Sequence, residues 1–247
     1  MPRRDVQIAA PDGTAGGSLH IPDGDGPWPG VLMIPDAGGL RDTFRDMGDR
    51  LAGLGYVALV PDIYYRAGDW APFDVNTLFT DPAERARMGR LASALTNDRI
   101  TADAGAYAAF LLARPEVSGP AIGTTGYCLG GRLSLIAAAG LGTTVAAAAS
   151  FHGGRLALPG DPASPHLLAD RLTGTVYVAG AIEDGTFTAE QAELLDRALT
   201  DAGVDHTIEF YPARHGFAVP DNDTYDAGAA ARHWDALQHL YQAHLPG

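Results

Sequence analysis

The sequence predicts an α/β fold, a single domain over residues 1–247 with a mostly parallel, twisted sheet and helices on both faces. Three observations carry this reading. Strand-like apolar runs alternate with helix-length amphipathic segments along the chain. No internal repeat and no low-complexity linker divides it. The only cysteine, Cys128, stands in Gly126-Tyr127-Cys128-Leu129-Gly130-Gly131, between a strand-like and a helix-like segment. That is the pattern of a nucleophile on a tight strand-to-helix turn, with sulfur where a serine hydroxyl is usual.

The elements follow in order. Val6–Ala10 and Gly17–Ile21, with Pro11-Asp12-Gly13 between them, read as an opening hairpin. Gly30–Pro35 is a buried strand. Arg41–Leu54 has helical spacing, with Phe44, Met47, Leu51 and Leu54 on one face and Gly55 as its stop. Tyr56–Pro61 is the next strand. The stretch from Tyr64 to Asp81 is irregular and aromatic, the composition of a loop that walls a binding site. Asp81–Arg114 is helical in composition, with a break near Thr96-Asn97-Asp98. Pro120–Tyr127 leads as a strand into the cysteine turn, and a helix follows through Leu133–Ala139. Val145–Phe151, Thr175–Gly180 and His206–Tyr211 are further strands. Thr188–Ala202, ending at Gly203, is an amphipathic helix. Asp226–His244 is the terminal helix, with Trp234, Leu237 and Leu240 on its inner face.

Composition narrows the function classes. A net charge of −13 argues against nucleic acid or an anionic membrane as partner, because both favour basic patches. One cysteine permits no internal disulfide, so nothing points to an oxidising compartment. Met1-Pro2-Arg3-Arg4 opens no apolar leader, and no apolar run reaches membrane-spanning length. A soluble, cytoplasmic protein acting on a small molecule is expected. Oligomeric state stays open.

The flanking glycines are what a strained turn needs, since side chains there would collide. With 31 glycines in 247 residues, the flanking pair arises by chance about once in sixty, so the surrounding strand and helix add weight. A thiol also needs a base, and the base needs an acid to orient it. Of eight histidines, His215 lies in a loop after a strand and before the last helix, last in the chain order nucleophile–acid–base. Asp184, just past the Thr175 strand, is the candidate acid, with Glu183 as its rival. Oxyanion donors are expected from the backbone N–H groups of Leu129, next to the nucleophile, and Ala37, in the glycine-rich loop after the Gly30 strand. His152, at another strand end, and Tyr64, Tyr127 and Phe217 are expected to line the substrate pocket.

These residues resemble the dienelactone hydrolase family of the α/β-hydrolases. The resemblance runs over most of the chain. It is carried by Ile34-Pro35-Asp36-Ala37-Gly38-Gly39-Leu40, by Asp46–Tyr64, by Gly126–Gly131, by Ser150-Phe151-His152-Gly153-Gly154, by Asp184 and by His215-Gly216-Phe217. It implies an α/β-hydrolase domain with a Cys128–His215–Asp184 triad. It also implies hydrolysis of carboxylic esters or lactones through a thioester, with no metal and no organic cofactor. The same triad would serve a thioesterase or acyltransferase, and a non-catalytic ligand-binding member of the fold is the remaining alternative. The family usually carries Glu where this chain has Asp36, so Asp36 is a shortened auxiliary acid. The chain also lacks the family's arginine soon after the catalytic histidine, and reads Gly216-Phe217-Ala218-Val219-Pro220 there. This favours a less charged ester. Arg41, Arg66, Arg85 and Arg214 are the other candidates to hold a substrate carboxylate.

Overall fold

The computed structural model describes residues 2–245. The opening hairpin pairs β1 (Arg3–Ala10) with β2 (Gly13–His20), in register from Arg3–His20 to Ala10–Gly13. Only Pro11 and Asp12 remain for the turn, and the glycine that closes it sits at φ +140°, a conformation other residues rarely adopt. The strands that follow are β3 (Trp28–Ile34), β4 (Val57–Pro61), β5 (Val117–Tyr127), β6 (Val145–Phe151), β7 (Thr175–Glu183) and β8 (His206–Arg214). They form one eight-stranded sheet in the order β1-β2-β4-β3-β5-β6-β7-β8. The β1–β2 and β2–β4 pairs are antiparallel, and every pair from β4 to β8 is parallel.

The parallel part is covered on both faces, by helices α1 (Asp42–Gly53), α3 (Asn97–Leu112), α4 (Leu129–Leu141), α5 (Ala189–Asp201) and α6 (Ala227–His244). Side-chain alternation along a strand divides the core accordingly. On β3, Leu32 and Ile34 join the cluster with Leu111, Leu133, Ile136 and Leu199 from α3, α4 and α5. Val31 and Met33 join Phe44, Leu51, Trp234 and Leu237 from α1 and α6 on the other face. This explains the unbroken apolar runs of the strands, since a sheet covered on both sides has no polar face.

The long helical stretch after residue 80 is two helices. α2 (Pro82–Ala92) is capped by the Asp81 carboxylate, and α3 by the Thr96 hydroxyl, each accepting from N–H groups of the first turn. Thr96 therefore marks the break. α2 differs from the other helices in burying none of its side chains. Arg87 ties it down, its guanidinium 3.6 Å from the Phe73 ring centre and donating to Ala71 O at 2.8 Å. Leu54, expected on the inner face of α1 with Phe44, Met47 and Leu51, is the half-buried C-cap and packs against the same cluster as those residues, and Gly55 at φ +94° turns the chain away beyond it. Among the described residues no helix is long and apolar enough to cross a membrane.

The sheet order also fixes where a ligand can sit. From β3 the chain moves to β4 on one side, whereas β5 lies on β3's other side. Loops leaving the carboxyl ends of β3 and β5 thus part in opposite directions and open a crevice between them. Residues 35–41 and Cys128 occupy those loops.

Candidate active site

Cys128 is the first residue past β5 and the N-cap of α4, at φ 54° and ψ −117°. A non-glycine residue there is strained. Its N–H donates to Phe151 O at 3.1 Å, which anchors the turn to β6. Two glycines make the turn possible. A Cβ on Gly126 would lie 1.9 Å from Gly130 O, and one on Gly130 would lie 2.3 Å from both Ile34 O and Pro35 O. The elbow is thus packed backbone to backbone against the β3 loop.

His215 follows β8, and its Nδ1 lies 2.6 Å from Asp184 Oδ2. The same imidazole is hydrogen-bonded to the Cys128 sulfur, which leaves Nε2 for that contact. Asp184 immediately follows β7, and its side chain is 1% exposed. Its other oxygen accepts from the Thr186 N–H and Oγ1, both at 2.7 Å. Glu183, the rival carboxylate, points outward and is exposed. The carbonyl of His215 accepts from Thr224 Oγ1 at 2.5 Å, which braces the loop.

Burial works against a charged His215. The charge of the Cys128 sulfur and the hydrogen bonds to Asp184 and Cys128 outweigh it and raise the imidazole to about 10. Burial likewise works against an ionised Asp184, but the hydrogen bond from His215 and those from Thr186 prevail and lower it. The proton between these groups therefore resides on the imidazole.

Leu129 opens α4, so its N–H is one of the helix's first-turn donors without an intrahelical acceptor. In the β3 loop, the Gly38 N–H donates to Asp36 Oδ1 at 2.8 Å and the Gly39 N–H to Asp36 O at 3.0 Å. Tyr64 OH donates to Ala37 O at 3.0 Å and fixes that peptide. Ala37 and Leu129 both line the cleft beside Cys128 and His215.

Asp36 lines a small alcove with Cys128, but its carboxylate is engaged elsewhere. Arg41 grips it at both oxygens, at 2.7 and 3.0 Å, and grips Asp221 with Nε and Nη2 at 2.7 and 2.9 Å. The shorter side chain thus acts in the turn and the ion pair. Arg41 and Asp36 have only 9% and 6% of their side chains exposed. Removing one partner of such a buried pair strands the other's charge. Arg41→Ala is expected to cost about 3 kcal/mol of stability, measured by urea unfolding, and a loss below about 1 kcal/mol, the scale of an exposed pair, would show that Asp36 finds other partners.

The cleft has a volume of about 420 Å³ and is walled by Phe79, Met88, Ala92, Leu129, Gly154 and Thr186 as well as by Arg132 and Arg155. Three expected pocket residues lie elsewhere. Tyr127 is fully buried behind the elbow, hydrogen-bonded to His233 at 3.1 Å. Phe217 is fully buried between Tyr211 and His152. Tyr64 stands behind Ala37, with its ring on Trp70. Each sits on an element that reaches the site, but its side chain points to the sheet or loop core. His152 borders the alcove. Of the arginines, Arg41 is taken by Asp36 and Asp221, and Arg66 by Asp12 and Asp103.

Arg132 and Arg155 at the cleft were not anticipated. Arg132 lies four residues after the cysteine, one turn along α4, and that spacing was the available signal. Its guanidinium donates to Arg155 O, Ala163 O and Asp161. Arg155 pairs with Asp161 at 3.5 Å and is largely exposed at the rim. Among the described residues no group of three or more His, Cys, Asp or Glu side chains is placed to hold a metal ion.

Known proteins resemble the chain over nearly its whole length. Residues 16–245 match the model of the dienelactone hydrolase family. A Synechocystis protein named as a carboxymethylenebutenolidase is 32% identical over 248 residues, covering 99% of this chain and 95% of its own length. A dienelactone hydrolase-like promiscuous phosphotriesterase from metagenomic libraries superposes with a TM-score of 0.78 at 28% identity, over 98% of both chains. A dienelactone hydrolase structure from Klebsiella pneumoniae shares the fold, with a TM-score of 0.83 at 23% identity over 98% of both chains. With its α/β-hydrolase sheet, its elbow between β5 and α4 and this match over nearly its whole length, the chain belongs to the dienelactone hydrolase family, hydrolases of ester and lactone bonds.

Proposed function

We propose that the chain hydrolyses carboxylic esters or lactones through a Cys128–His215–Asp184 triad and a Cys128 thioester. The observation that carries this reading is the continuous hydrogen-bonded line from Asp184 through His215 to the sulfur, ending on a strained elbow. The sulfur attacks the carbonyl carbon. The Leu129 and Ala37 N–H groups receive the oxyanion. His215 gives its proton to the leaving oxygen, and Asp184 stabilises the imidazolium without itself taking a proton. Water then attacks the thioester, with His215 as base.

The cleft wall supports an acyl group of modest polarity. Phe79, Met88, Ala92 and Leu129 supply apolar surface, and Arg132 is occupied by three protein acceptors. Arg155 is the one arginine of this wall whose side chain is mostly exposed.

The test is mass spectrometry of enzyme acid-quenched during turnover of p-nitrophenyl butyrate. An acyl mass on the Cys128 peptide, with loss of turnover after iodoacetamide, is the expected result. Turnover that survives complete alkylation of Cys128 would overturn the reading.

A pH dependence follows. The proton-donating form of His215 exists below about 10 and is lost as pH rises through that value. Alkyl esters need that proton on the leaving alkoxide, whereas p-nitrophenolate leaves without it. The rate for an ethyl ester is therefore expected to fall about tenfold per pH unit above the limb. The p-nitrophenyl rate should hold over the same range, and parallel profiles for the two esters would contradict the assignment.

A further inference from the structure

We propose that His152 is a positioning residue that holds the water which hydrolyses the Cys128 thioester, an inference resting on the esterase reading above. His152 follows β6 at φ 39°, and its N–H donates to Ala179 O at 2.8 Å. A non-glycine residue in that conformation is strained. The residue is 1% exposed, and its ring meets His215 edge to face at 5.2 Å and Phe217 at 5.0 Å. Among the described residues neither Nδ1 nor Nε2 has a hydrogen-bond partner. Two unpaired polar atoms at this depth are costly and call for a partner.

The ring borders an alcove of about 20 Å³, lined also by Cys128, His215, Asp36, Gly38 and Asn222. That is room for one water, and the wall offers the polar partners a buried water needs. The alcove and the large cleft share Ala37, Phe79, Cys128 and His215. Cys128 therefore borders both spaces. The acyl chain fits the larger one, which leaves the smaller one for a water beside the thioester. Burial first, then the charges of His215 and His233, push the His152 pKa well below its ordinary value. A neutral ring has one N–H donor and one acceptor nitrogen, so it can orient a water without competing for its proton.

The step balances within these groups. The water oxygen bonds to the thioester carbonyl carbon as its proton passes to His215 Nε2. The carbon–sulfur bond then breaks, and the electron pair returns to Cys128. The products are a carboxylic acid and the thiolate beside a protonated His215.

The test is rapid-quench kinetics with p-nitrophenyl butyrate on wild type, His152→Phe and His152→Asn. Phe keeps the ring and removes both nitrogens, whereas Asn tolerates the positive φ and keeps a polar group. For His152→Phe we expect a burst rate within about twofold of wild type and a steady-state rate lower by roughly ten- to a hundredfold. Acyl-enzyme should accumulate, and hydroxylamine, which needs no positioned water, should restore release. His152→Asn should recover part of the loss. Burst and steady state falling together, or neither changing, would overturn the proposal. So would a crystal structure of the wild type with no ordered water within hydrogen-bond distance of a His152 ring nitrogen. No acyl adduct on wild-type Cys128 would overturn the thioester reading and this one with it. An adduct in wild type with unselective variant effects overturns this one alone.

Discussion

Cys128→Ala is expected to lower kcat/KM for p-nitrophenyl butyrate by roughly 10⁴-fold or more, while the protein stays folded. The loss is large because no other nucleophile stands at the apex. What remains is the oxyanion donors and the cleft, which bind ester without attacking it. The fold should tolerate the change because the sulfur is half-exposed at the cleft, so its removal opens no core cavity. Alanine also tolerates φ 54° no worse than cysteine does. A second readout tests the electrostatics. The sulfur's charge is the foremost of the influences that raise His215, so the imidazole should titrate well below about 10 in the variant when followed by NMR. A variant that keeps wild-type activity, or one whose His215 titrates unchanged, contradicts the coupling of sulfur and ring.

Asp184→Asn should lower kcat by about 10³- to 10⁴-fold with little change in KM. The size follows from the hydrogen bonds. Thr186 donates twice to Oδ1, so the asparagine must place its carbonyl there and its NH₂ toward His215. The imidazole then accepts at Nδ1 and carries its proton on Nε2, where it cannot take one from the thiol. Asp184→Glu keeps the charge and moves it by a methylene, so it should lose less than the amide does. The pH dependence of stability has a definite sign. A depressed folded-state pKa stabilises above the unfolded value and loses that contribution as pH falls through the lowered one. Wild type should therefore lose its stability advantage over Asp184→Asn on acidification, which urea unfolding at several pH values will show.

The fold was legible because its signals are local. Apolar runs of strand length, glycine stops at Gly55 and Gly203, and capping residues at Thr96, Thr188 and Asp226 each act over a few residues. Cys128 was legible for the same reason, since the elbow's steric demands fall on its immediate neighbours. What the sequence did not reveal depends on distant partners. Arg41 joins Asp36, five residues away, to Asp221, 180 residues away. No periodicity marks that link, so the sequence alone left Asp36 as a shortened auxiliary acid with no sign of its ion pair. Tyr64, Tyr127 and Phe217 were misplaced for a related reason. An aromatic residue next to a site motif can face the cleft or the core behind it, and only packing decides which.

α2 has a consequence for how this cleft can change. It supplies Met88 and Ala92 to the wall and meets the core through the half-buried Met88 and Leu91 rather than through any fully buried side chain, and the neighbouring Phe79 is 52% exposed. Substitution at an exposed position such as Phe79 typically moves stability by about 0.5 kcal/mol or less. This part of the cleft wall thus lies on the surface of the scaffold, whereas Cys128 sits on an elbow between β5 and α4. Mutation at Phe79 can redraw substrate preference while folding stays almost untouched, and at Met88 and Ala92 without opening a fully buried site, which makes this segment the evolvable part of the molecule.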